Sequence, residues 1–128
     1  MNRLLWALQW VFGIYWVAIG VLHFVLPEGL PAQMSWMYDL SPTLHAVSGT
    51  FEILGGLGLI LPAVTRRRTE LVPLAALGLA VVMVGAMIWH VDHGSFATTG
   101  PLNAVIMAVM LFVAWGRGRR APLVTRAA

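Results

Sequence analysis

The sequence predicts an all-α membrane protein, an antiparallel four-helix transmembrane bundle with both termini cytoplasmic. Three observations carry this. The 128 residues are 59% hydrophobic and only 10% charged, with a mean hydropathy of +0.82, too apolar for a soluble domain of this size. Four apolar stretches, at about 4–26, 44–62, 71–90 and 101–116, are each near the roughly 20 residues needed to cross ~30 Å of hydrocarbon. The arginines fall only at Arg3, Arg66 to Arg68 and Arg117 to Arg126, which is one side of a four-span drawing, and positive loops stay cytoplasmic. This charge is a topological signal, so the expected partner is the lipid bilayer and not nucleic acid. A single membrane domain, 1–116, is then followed by a basic cytoplasmic tail, 117–128, expected to be poorly ordered.

The first span runs from Leu4 to Leu26 and is closed by Pro27, Gly29 and Pro31. It is near full membrane length and lacks an A-x-A cleavage site, so it reads as a retained helix and not a signal peptide. Gly13, Trp16, Gly20 and His23 recur at three and four residues, one helix face that ends in an imidazole. Residues 27–43 carry three prolines together with Trp36 and Tyr38, which marks an interfacial segment at headgroup level. Ser41 followed by Pro42 is a helix start, hydroxyl cap then proline in the first turn. The second span ends near Pro62, and residues 65–70 form a charged turn. The third span begins at Leu71 with Pro73 in its first turn, where proline is tolerated, and places Met83, Met87 and His90 on one face. Asp92 and His93 lie in the loop that follows. Gly100 and Pro101 open the fourth span, in which Asn103, Met107 and Met110 align.

One carboxylate stands among the apolar and small residues of the second span. Glu52 shares a face with Ser48, Gly55, Gly56 and Leu59, so it sits above a glycine notch where another helix can approach. At a 1.5 Å rise per residue it lies roughly 12 Å below the start of that span. A carboxylate at such depth costs a few kcal/mol and needs a partner. His23, His90 and Asn103 each lie near the outer end of their own span, so every helix offers a polar group to the outer half. His45, Asp92 and His93 add polar atoms at the rim. A buried carboxylate beside an imidazole forms a charge-assisted pair, or stays protonated and donates a hydrogen bond. Two readings follow: an outward-opening pocket with His23, Glu52, His90 and Asn103 as ligand-binding or proton-handling groups and Met83, Met87 or Met107 as lining, or a structural polar clasp between helices.

With no cysteine, the chain has no disulfide relay, thiolate nucleophile or thiolate metal site. His23, Glu52 and His90, with the softer methionines, are the candidates for a copper or other metal ion, or for a bis-histidine haem, although no tight H-x-x-x-H or E-x-x-H spacing supports them. Methionines at helical spacing more often fill a core.

These residues also carry a family likeness. The G-x-x-H-F of Gly20 to Phe24 followed by Pro27 and Glu28, the S-G-x-x-E-x-x-G-G-x-G-L beginning at Ser48, the G-A-x-x-x-H of Gly85 to His90 and the P-x-N of Pro101 to Asn103 resemble the DoxX-like family of small four-span bacterial membrane proteins. The likeness covers residues 10–115. It implies the four-span fold, a place in the bacterial inner membrane, and association with membrane oxidoreductase complexes. It also implies that His23, Glu52, His90 and Asn103 are the family's polar positions. The expected function is a redox-associated subunit that holds a quinone-like or other small ligand, as a homo-oligomer or as part of a larger membrane complex. The alternative is a non-catalytic assembly, packing or small transport module. Related small bundles use a cysteine pair that this chain lacks, which argues against direct thiol transfer.

Overall fold

A computed structural model describes residues 1–127. It contains four long helices, α1 (Asn2–Val25), α2 (Pro42–Thr65), α3 (Leu71–Asp92) and α4 (Phe96–Trp115), all long and apolar enough to cross a membrane. No strand occurs among the described residues. A short 3₁₀ helix, Ala32–Asp39, joins α1 to α2, and a five-residue π-helical turn, Gly116–Arg120, extends α4. The apolar side chains of Val11, Ile14, Leu54, Val81 and Val105 are exposed, as expected of helix faces that meet lipid instead of water.

Local chemistry sets the helix ends. α1 stops at Leu26, in the left-handed region at φ 41° with its N–H bonded to the Leu22 carbonyl, immediately before Pro27. α2 starts where Ser41 Oγ accepts the Leu44 N–H at 3.2 Å, with Pro42 in the first turn. Two boundaries differ from the expected ones. α2 runs through Pro62 to Thr65, because one missing amide donor inside a packed membrane helix is compensated by its neighbours. α4 begins at Phe96, five residues before Pro101, with the Thr98 and Thr99 hydroxyls both bonded to the Ser95 carbonyl.

The packing makes two hairpins. α1 and α2 lie close along most of their length. A Cβ at Gly20 would fall 2.8 Å from the Gly49 carbonyl oxygen, and one at Gly56 would fall 2.6 Å from that of Gly13. α3 and α4 pair across a buried layer that includes Ala76, Leu79, Met83, Ile106, Met110 and Val113. The hairpins meet at the end that carries the arginines: Gly55 packs on Leu79, Gly58 on Ala75, and Gly116 on Leu5.

That arginine end also holds a polar cluster that hydropathy alone does not disclose. Gln9 is fully buried and donates from Nε2 to the Leu59 carbonyl at 2.7 Å. Arg117, also buried, donates from Nε to Gln9 Oε1 and from Nη1 to Asn2 Oδ1 at 2.7 Å, while its guanidinium lies 5.3 Å from the Trp6 ring centroid. The residues after Arg120 fold back onto the α2–α3 turn: Thr69 Oγ1 donates to the Leu123 carbonyl at 3.0 Å, and the Arg126 N–H to that of Arg66 at 2.7 Å. The tail, expected to be poorly ordered, is thus tied down by backbone groups that the charge pattern hides.

Candidate functional site

At the other end, which carries the histidines, the hairpins enclose a cavity of ≈ 680 Å³. All four helices and the 3₁₀ segment line it. His23, Glu52, His90 and Asn103 all lie on its wall, as does Met83; Met87 and Met107 do not. Met107 packs instead against the buried layer.

Its polar centre is a chain of three side chains. His23 and Glu52, 5% and 4% exposed, face each other across the α1–α2 seam with Nε2 and Oε2 3.2 Å apart. The two atoms are at ion-pair distance without hydrogen-bond alignment, and neither has another partner. His23 Nδ1 lies 2.9 Å from His45 Nδ1, so one of these nitrogens carries a proton and the other accepts it. His45 is only partly buried, near the start of α2. The Glu52–His23–His45 chain therefore leads from the cavity wall to the end of the bundle. The arrangement is possible because Gly49, between His45 and Glu52 on α2, lets α1 approach: a Cβ there would fall 2.9 Å from the His23 Cβ.

His90 stands apart from that chain. Its Nδ1 is held by Ser95 Oγ at 2.7 Å, and Trp36 packs edge-on against it at 5.2 Å between ring centroids while also touching His23 at 6.3 Å. The Trp36 ring is thus part of the cavity wall between the two histidines. Tyr38, two residues on, fixes the 3₁₀ segment by donating to the Pro27 carbonyl at 2.7 Å and accepting the Leu30 N–H. His93 turns away, stacked on Trp89 at 3.9 Å with Nδ1 on the Trp89 carbonyl.

Among the described residues no three histidine, cysteine or acidic side chains converge as a metal site requires. Of the candidates His23, Glu52 and His90, only the first two meet. A haem held between the imidazoles of His23 and His90 would have to displace Trp36.

Sequence reasoning placed His45 only at the rim, set Trp16 on the His23 face without giving it a place in the pocket, and did not single out Tyr15; Tyr15 and Trp16 both line the cavity with Glu52. The Trp16 Nε1–H is buried and has no partner, leaving a donor for a ligand. A signal for His45 existed: it lies seven residues before Glu52, on the same helix face.

The family model described as the DoxX-like family matches residues 7–113. No curated protein and no solved structure matches the chain.

Proposed function

The chain belongs to the DoxX-like family, and from that premise and the chemistry of the cavity we propose a small redox-associated membrane subunit that holds a quinone-like molecule and conducts its protons. The observation that carries this reading is the Glu52–His23–His45 chain, with contacts of 3.2 and 2.9 Å. A quinone takes up two electrons and two protons on becoming a quinol. The electrons come from the redox centre of a partner oxidoreductase subunit, and the protons move through this chain. Transfer of a proton from Glu52 to His23 Nε2, with release of the His23 Nδ1 proton to His45 Nδ1, advances one proton by one step and leaves Glu52 a carboxylate, His23 neutral and His45 an imidazolium. Run in reverse, the same step delivers a proton to the ligand.

The expected orientation follows the arginines: both termini and the α2–α3 turn on the cytoplasmic side of the bacterial inner membrane, His45 towards the outside. The subunit acts as a homo-oligomer or within a larger membrane complex.

The test is organic extraction of protein purified in mild detergent, with ultraviolet–visible detection. A near-stoichiometric quinone chromophore that is lost in Glu52→Gln supports the reading. A second reading, a structural clasp in a packing or transport module, draws on the direct Glu52–His23 contact. A featureless, metal-free extract, together with a folded Glu52→Gln variant that supports its partner as wild type does, selects the clasp.

A further inference from the structure

The α2–α3 seam is closed near the arginine end and opens towards the histidines. Cβ atoms added at Gly58 and Gly55 would fall 2.8 Å from the Ala75 methyl and 2.5 Å from a Leu79 methyl. Continued by steps of three and four residues, the same faces reach Phe51 and Val47 on α2 and Val82 and Ala86 on α3. All four of these residues line the cavity.

The rim of this gap is apolar and open. Phe51, Val47 and Ile88 are 57%, 47% and 58% exposed, and all three line the cavity. Gly85, also on the wall, is exposed, and a Cβ added there would meet nothing within 4 Å. The groups that need polar partners, Glu52 Oε2 and Trp16 Nε1, are buried in the wall. In water such a rim would leave apolar area unburied at a free-energy cost; against lipid tails it carries no such cost.

We propose that this gap is a lateral portal from the bilayer. Its occupant is an amphiphile with a compact polar ring head, held against Glu52 and Trp16, and a single apolar chain that leaves between α2 and α3 past Gly85. The proposal rests on the cavity's being the ligand site of the preceding section and adds the chain-bearing class of the ligand and the route it takes.

The test compares two probes, a dimethoxy-methyl-benzoquinone with a decyl chain and the same ring without it, on the full chain in lipid nanodiscs. Binding is read as quenching of tryptophan emission and corrected for partition into the lipid. Wild type binds the decyl probe more tightly than the bare ring. Gly85→Phe lowers the preference for the decyl probe over the bare ring about tenfold, the loss expected when an added ring overpacks the gap through which the chain passes. Gly85→Leu gives a smaller loss in the same direction. Gly78→Phe, on an exposed site of α3 that is equally open but off the cavity, changes neither. Equal losses for both probes with Gly85→Phe would overturn the portal, because the side chain would then be reaching the ring. So would no loss for either, which would send the chain out elsewhere, for example past Leu102 on the α1–α4 side. A wild type that binds the ring but gains nothing from the chain defeats the portal and spares the quinone-like site; one that binds neither probe defeats both.

Discussion

A double-mutant cycle on Glu52 and His23 separates what this pair contributes to the fold from what it does for a ligand. Their side chains are 6% and 2% exposed and 3.2 Å apart. Glu52→Leu leaves His23 Nε2 facing apolar groups, and His23→Leu leaves a buried carboxyl without its neighbour. Breaking a buried pair from one side costs about 3–5 kcal/mol when the survivor stays charged and about 1–3 kcal/mol when it is neutral. The ≈ 680 Å³ cavity on which both residues lie has room for water to solvate the survivor, so each single variant is expected to lose about 2–3 kcal/mol. Replacing both by leucine removes the orphan as well as the pair, and such replacements are often near neutral. The double variant should thus be more stable than either single variant, with a coupling of about 2 kcal/mol or more. Unfolding in mixed micelles with increasing denaturing detergent, followed by tryptophan emission, measures all four corners. Additive losses would refute the pairing, since coupled groups cannot contribute independently. A double variant that is stable and still retains a quinone would remove the proton-handling role and leave the clasp.

Three further outcomes are expected. Gly20→Ala places a methyl 2.8 Å from the Gly49 carbonyl oxygen, so α1 and α2 must separate, at about 1–3 kcal/mol of overpacking; Gly85→Ala, in open space, should cost nothing measurable in the same micelle assay. Arg117→Leu orphans Gln9 Oε1 and Asn2 Oδ1 and is expected to cost about 1–3 kcal/mol. Arg117→Lys should recover part of that loss, because an ammonium lacks the fork that reaches both acceptors; full recovery by lysine would show that charge alone matters there. Because the chain has no cysteine, single cysteines at Arg67 and Gly94 report topology cleanly: an impermeant maleimide applied to intact cells should label Gly94→Cys and spare Arg67→Cys, and the reverse pattern would invert the proposed orientation.

The sequence by itself determined the number and order of the helices, because long apolar stretches and the prolines and charges between them act through the local cost of placing backbone and charge in hydrocarbon. It also singled out Glu52, His23, His90 and Asn103, since a polar group among apolar neighbours is conspicuous without any knowledge of contacts. Which of them meet was decided by the tertiary structure. Gly49 and Gly20 let α1 and α2 approach until His23 lies between Glu52 and His45, whereas Trp36, which the sequence reads as a headgroup-level aromatic, stands against His90. The cluster of Gln9, Arg117 and Asn2 was equally illegible, because its partners are 108 and 115 residues apart and periodicity reports only neighbours on one helix. The cavity has the same origin: two hairpins packed tightly at the arginine end and apart at the other leave a space that no single segment encodes.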